Sequence, residues 1–266
     1  MAQRQKPYGE IGLAGGGMTY IGDLNNQSLF GKVSLGGSLY FRYNFDDRWA
    51  VSISGGYGGL EGGNPDAQAW RNLSFQTSLW EAGVRAELNF VKFGFGVEQY
   101  ATTPYLFVGI GVFGFNPQGR YTDAETGESR WVDLEPLGTE GQHSDLYPDS
   151  YPYGLTTVCL PFGLGFKARL YDFIVVSIEY GFRKTWTDYL DDVSTVYVDP
   201  AIFEGNAVAA AMADRSAEVE GRTLNAVGMQ RGDDSLKDWY SYFNVSLAVG
   251  TDFLFAWAKR KRCYND

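Results

Sequence analysis

The chain has 266 residues and a formal net charge of −10, and its 34 Gly, 18 Tyr, 18 Phe and 7 Trp lean toward β-structure. A single histidine, His143, weakens enzyme readings that draw on imidazole as base or metal ligand, and the acidic balance argues against a nucleic-acid partner, which wants a basic face. No stretch reads as a spanning helix: the most apolar, 105–115, is shorter than the roughly 20 residues required and is broken by Gly109, Gly111 and Gly114.

In chain order, eight segments alternate apolar with polar or small residues, the period-two mark of a two-faced strand. They lie at about 8–20, 32–45, 48–57, 73–91, 104–116, 155–170, 172–186 and 237–257. In the second, Val33, Leu35, Leu39, Phe41, Tyr43 and Phe45 oppose Ser34, Gly36, Ser38, Tyr40, Arg42 and Asn44. The fourth changes phase near Leu79 and Trp80, which predicts a bulge. Pro161 in the sixth predicts a gap in the ladder, because proline has no N–H to donate. The seventh sets Ile174, Val176, Ile178, Tyr180 and Phe182 against Ser177, Glu179, Gly181 and Arg183. Most segments reach the roughly 9–11 residues that a tilted strand needs to cross a bilayer.

The connections alternate between short and long. Asp46-Asp47 joins the second and third segments, 92–103 joins the fourth and fifth, and Tyr171 joins the sixth and seventh. The other four, about 21–31, 58–72, 117–154 and 187–236, lengthen along the chain. This asymmetry predicts one all-β domain over 1–266, an eight-stranded antiparallel transmembrane β-barrel with long external loops 3 and 4. Both termini then lie on the periplasmic side of an outer membrane, with a basic tail at 258–266. Residues 117–154 carry eight acids against two bases and 186–236 ten against three, so the acid gathers in two external loops. The alternative of a soluble, lipocalin-like barrel would leave an outer surface with few charges among many Gly and Ser.

The minority face carries Glu10, Arg42, Glu81, Arg85, Glu87, Lys167, Arg169, Glu179, Arg183 and Asp252, five acids and five bases. An eight-stranded barrel has room inside only for side chains, so this balance predicts an ion-paired, plugged lumen. No catalytic residue, cofactor, metal or small-molecule substrate is expected, and lipid is the expected surroundings. Gly109-Ile-Gly-Val-Phe-Gly114 matches a dinucleotide fingerprint in spacing only, since it lies inside a strand with no helix following. Asp188, Asp191 and Asp192 form either a hydrogen-bonded loop base or a calcium site, though their spacing fits no metal loop. Residues 207–213 read as a short helix packed over the barrel mouth.

Lys259, Arg260, Lys261, Arg262 and Cys263 close the chain as a basic cluster. It is either a solvated end beside lipid headgroups or a dock for an acidic periplasmic partner. Cys159 lies early in the inward-running sixth segment and Cys263 beyond the eighth, so most of the membrane separates them. A disulfide needs Cα atoms within about 7 Å, which excludes an internal bond under this topology. Cys263, in an oxidising compartment and flanked by bases, is expected to bond another protein, the alternative being a free or artefactually oxidised thiol.

Several blocks carry a family likeness: Glu10-Ile-Gly-Leu13 with Tyr20-Ile-Gly-Asp-Leu24, Thr103 through Pro117, Gly138-Thr-Glu-Gly-Gln142, Pro161 through Lys167, and Glu179 through Ser194. From about residue 8 to the C-terminus the chain resembles the PorG family, outer-membrane barrels of the Bacteroidetes type IX protein secretion system. The part at about 198–234 is less familiar. The resemblance implies association with the periplasmic ring of the lipoprotein PorK and its partner PorN, with no catalysis or cofactor. It also makes PorK the candidate partner for Cys263, provided PorK offers a cysteine facing the membrane. The competing reading is a stand-alone surface barrel whose acidic loops bind an external ligand.

Overall fold

A computed structural model describes residues 6–25, 31–63, 70–95, 100–123 and 125–254. Eight long strands form the wall: β1 (Tyr8–Ile21), β2 (Val33–Asn44), β3 (Trp49–Gly62), β4 (Phe75–Asn89), β5 (Thr102–Thr122), β7 (Thr156–Tyr171), β8 (Ile174–Thr185) and β9 (Trp239–Gly250). A short strand, β6 (Ser129–Asp133), pairs only with the far end of β5. The sheet runs β4-β3-β2-β1-β9-β8-β7-β5, and pairing of β4 with β5 closes it. Every pair is antiparallel, so closure leaves no open edge in the wall.

Five expectations need correction. β5 runs on to Thr122 and turns into β6, so the third long connection begins with a hairpin that stands beyond the wall. β3 likewise reaches Gly62, and β9 stops at Gly250, with a helical turn over 251–254. The predicted bulge at Leu79–Trp80 is absent: β4 keeps one register from Phe75 to Leu88 on β3 and from Gln76 to Asn89 on β5. Its inward side chains change from apolar (Phe75, Leu79) to charged (Glu81, Arg85, Glu87) while the backbone continues regularly. The register shift falls instead between Arg169 and Tyr171, beside the tight β7–β8 turn. Asp252 is exposed on the 251–254 turn and does not enter the lumen.

Pro161 does interrupt the ladder, since pairing of β5 with β7 lapses between Val108↔Phe162 and Gly111↔Cys159. Inward glycines make room for lumen tyrosines. A Cβ on Gly12 or Gly165 would come 2.3 Å from the ring of Tyr40 or Tyr105 respectively. The fingerprint glycines instead allow close approach within the wall: a Cβ on Gly109 would meet the Val84 carbonyl at 2.3 Å, and one on Gly114 the Trp80 ring at 2.3 Å. Helix α1 (Ala207–Ala213), capped by the Asn206 side chain, packs on β5 and on the 135–137 turn.

Candidate functional site

The wall has two chemically opposed faces. Outward stand Ile11 and Leu13 of β1, Leu35, Leu39 and Phe41 of β2, Val108 and Ile110 of β5, and Val245 and Leu247 of β9, all exposed, with Leu35 the most open at 85%. Charged residues of the eight wall strands turn inward except Glu61, Arg120 and Lys184, which lie toward the strand ends at the long-loop side. Water would not sustain such a belt, because exposed apolar patches of this extent mark a membrane or partner surface.

Inside, the half of the lumen nearer the short turns holds an ion-pair network centred on Glu87 of β4. Arg42 Nε lies 2.9 Å from Glu87 Oε2, Lys167 Nζ donates to the same oxygen at 2.6 Å, and Arg85 Nε is 3.3 Å from Oε1. Arg42 Nη1 also donates to Glu10 at 2.7 Å, and Arg85 Nη1 to Glu179 at 2.7 Å. Neutral groups fill the remaining valences: Ser52 donates to Glu87, Asn44 to Glu10, and Tyr105 to Glu179. Rings of Tyr105, Phe107 and Tyr40 lie against Lys167, Arg85 and Arg42. Higher up, Arg183 pairs with Glu81 at 3.2 Å, and Tyr240 donates to the same carboxylate at 2.7 Å.

The structure thus brings together eight of the ten expected lumen charges, four acids and four bases. Asp252 lies outside the network, as described above. Arg169 sits half-buried at the short-turn rim, where it donates to the Gly94 carbonyl at 2.6 Å. Those two departures remove one charge of each sign, so the network is still neutral. Lys259, Arg260, Lys261, Arg262 and Cys263 lie outside the described residues, and Cys159 is a buried free thiol.

The long-loop half of the lumen is apolar. Met18, Leu60, Phe75, Leu79, Phe113, Phe115, Tyr240 and Tyr242 form one buried cluster there, joined from the loops by Leu24, Leu190 and Val193. Over it the third and fourth long connections interlock. Glu140 of the Thr-Glu-Gly-Gln block accepts the Ser194 and Thr195 N–H groups and the Thr195 hydroxyl. Arg231 bridges the two loops, 2.8 Å from Glu140 and 3.6 Å from Asp192, and donates to the Asp192 carbonyl. Thr139 and Tyr153 both donate to the Asp192 carboxylate. Residues 195–197 then pair with 228–231, so the intervening segment leaves from and returns to a pinned base.

The three loop aspartates turn to different partners: Asp188 accepts the Ser194 hydroxyl, Asp191 the Tyr20 hydroxyl, and Asp192 those of Thr139 and Tyr153. Among the described residues no acidic or histidine group is arranged to hold a metal. Burial pushes the carboxyl of Asp188 up to about 7 and that of Asp192 up to about 6, the latter despite Arg231 beside it. Asp191 and Asp238 are also held above the usual carboxylate range, first by burial. Sequence reasoning missed Glu140, Arg231 and Asp238. The one usable signal was Arg231, an isolated base in the longest acidic loop. His143 is exposed, with its Nε2 3.3 Å from the Glu135 carbonyl, a contact with no catalytic partner.

A closed, antiparallel, even-stranded barrel with an apolar outer belt, its wall charges turned inward, short turns at one end and long loops at the other is an outer-membrane-type transmembrane β-barrel. A family model described as a domain of unknown function, DUF6089, matches residues 1–132. No curated protein matches the chain. Solved structures similar to it include Ail, the attachment invasion locus protein of Yersinia pestis, at 9% identity and a TM-score of 0.40, over 92% of this chain and 99% of that one. Neisserial surface protein A is similar at 10% identity and a TM-score of 0.40, over 93% and 98%. The outer membrane protein OprG of Pseudomonas aeruginosa shows 11% identity and a TM-score of 0.37, over 91% and 97%. The strand pairing of this chain establishes its barrel independently of those likenesses.

Proposed function

We propose that this barrel is a structural component of the outer-membrane type IX protein secretion machinery, holding the periplasmic ring of PorK and PorN at the membrane. The observation that carries the reading is a lumen occupied by ion pairs in one half and aromatic side chains in the other, with a cavity of about 40 Å³ between them, beneath interlocked loops. A barrel so filled offers rigidity and a membrane anchor and has no route for solute. The sequence resemblance supplies the identity of the machinery. In this reading the short-turn end and the basic tail face the periplasm and meet the ring. Capture of a tagged copy from solubilised membranes should recover PorK and PorN. Deletion of about 200–232 should leave recovery unchanged, because the contact surface is periplasmic.

The reading includes a disulfide from Cys263 to a ring protein, with PorK the candidate. On non-reducing gels of native membranes, a higher-mass band should vanish on reduction and in Cys263→Ser but persist in Cys159→Ser. A monomer band throughout removes the disulfide from the proposal. The second reading, a stand-alone surface barrel, rests on the size and order of the interlocked loops. Loss of ring capture on loop deletion, with the barrel still folded, would favour it.

A further inference from the structure

At the long-loop rim, where β1 ends and β9 begins, a cleft of about 440 Å³ opens between Ile21, Leu236 and Trp239 below and Arg71 and Lys237 above. Its lower lip continues the lipid-facing belt: Ile21 and Trp239 stand at outward positions of their strands, and Leu236 is exposed. Its upper lip contains an unusual cation. Arg71 is buried, with 8% of its surface exposed, yet no carboxylate among the described residues lies within ion-pair distance of it. Its guanidinium stacks over Trp70 at 4.5 Å and gives one 3.3 Å hydrogen bond to the Asp23 carbonyl, while Nε has no partner.

A buried guanidinium without an anion is costly, since the desolvated charge is compensated only by a counter-charge or full hydrogen bonding. The buried arginines of the wall illustrate the rule: Arg42, Arg85 and Arg183 each have a carboxylate. Two acids also line the cleft, but both are engaged with backbone. Asp23 accepts the Asp233 N–H at 2.7 Å, and Asp233 accepts the Ser235 N–H and hydroxyl. Burial raises the Asp23 carboxyl, while the Asp233 N–H and the more distant Arg71 charge act to lower it.

We propose that this cleft binds the phosphate of an outer-leaflet lipid, with Arg71 and Lys237 as its cationic ligands and Ile21, Leu236 and Trp239 against the first carbons of the acyl chains. The inference rests on the membrane reading above. The lipid is favoured over a soluble anion because Ile21 and Trp239 line the cleft from outward positions of the wall, and because an indole at this level suits the headgroup boundary. Guanidinium is the side chain best matched to phosphate oxygens, and exposed Lys237, whose Nζ donates to the Asp234 carbonyl at 2.7 Å, adds a second charge.

The test uses the full-length barrel in maltoside micelles, titrated with dihexanoyl phosphatidic acid and followed by phosphorus-31 line broadening. Saturable binding of about one equivalent is expected, weakened about tenfold by Arg71→Gln and about threefold by Lys237→Gln. Inorganic phosphate should bind at least about tenfold more weakly than the lipid, because it forfeits the apolar lip. Should Arg71→Gln not fold, Lys237→Gln with rescue by Lys237→Arg decides the case, since Lys237 is exposed. Unchanged affinity in the folded variants overturns the site, and equal binding of inorganic phosphate overturns its lipid character. Insertion of the same protein into liposomes is scored separately, so failure of the membrane reading is distinguishable from failure of the cleft.

Discussion

The two halves of the lumen exclude water by different means. Near the short turns the interior is held by full charges, each shared among several partners, with Glu87 facing Arg42, Arg85 and Lys167. Near the long loops it is held by packed rings and aliphatic chains, with Phe113 edge-on to Tyr240 and Tyr20 edge-on to Phe75. An ionic core tolerates no missing member, because the charges left behind remain buried. An apolar core loses stability in proportion to the volume removed. The barrel therefore has one half that fails abruptly and one that weakens gradually.

Glu87→Gln breaks this comparison most directly. The substitution keeps shape but turns one acceptor oxygen into an NH2 donor and leaves three cations around a neutral group, and should cost about 5 kcal/mol, the upper end of what a broken buried pair costs. Urea unfolding of the barrel in detergent measures it, and a loss under about 1 kcal/mol would mean that water enters this half. Leu79→Ala, on the same strand and the same face, should cost less, about 2–3 kcal/mol, through the cavity left in the aromatic half. Equal costs for the two variants would erase the distinction between the halves.

The same contrast governs how much was legible in the sequence. Arg42, Glu87, Lys167 and Glu179 stood out because a charge among apolar alternates announces its face. Which charge meets which was not legible, because Glu87 meets Arg42 and Lys167, and Arg85 meets Glu179, across the lumen and not along neighbouring strands. In the aromatic half the signal inverted: Leu79 and Trp80 are adjacent and both apolar, one entering the lumen and one facing lipid, so alternation was lost and a bulge was inferred where the strand is regular. Asp252 was misplaced because the alternation was carried past Gly250, where the backbone turns helical. The loop blocks were recognisable as blocks, but nothing local in 138–142 and 187–195 indicates that Glu140 caps the backbone of the other.

The smallest expected effect concerns the interlocked loops and pH. The Tyr20 hydroxyl lies 2.6 Å from Asp191 Oδ2 and 2.8 Å from Asp238 Oδ1, yet it has one proton and can donate to one carboxylate at a time. Asp188, Asp23 and Glu140 add negative charge nearby, and Lys237 and Arg231 oppose it. With both Asp191 and Asp238 ionised, the arrangement lacks a donor and repels itself, so it favours one extra bound proton. Folded carboxyls raised above their unfolded value near 3.9 contribute stability that is full below that value and lost as pH rises through the folded value. With Asp192 at about 6 and Asp188 at about 7, the loops should tighten toward pH 5 and loosen toward pH 8. Hydrogen-exchange protection over 187–197, corrected for intrinsic pH dependence, should fall about threefold or more across that range. Asp238→Asn reproduces the protonated state: its carbonyl can accept the Leu190 N–H as Asp238 does, and its amide can donate to Tyr20, leaving that hydroxyl free for Asp191. The variant should therefore lose less protection by pH 8 than the parent, its remaining loss being the part that Asp188 and Asp192 contribute. If it loses protection as steeply as the parent, the shared proton is not what ties the loops to pH.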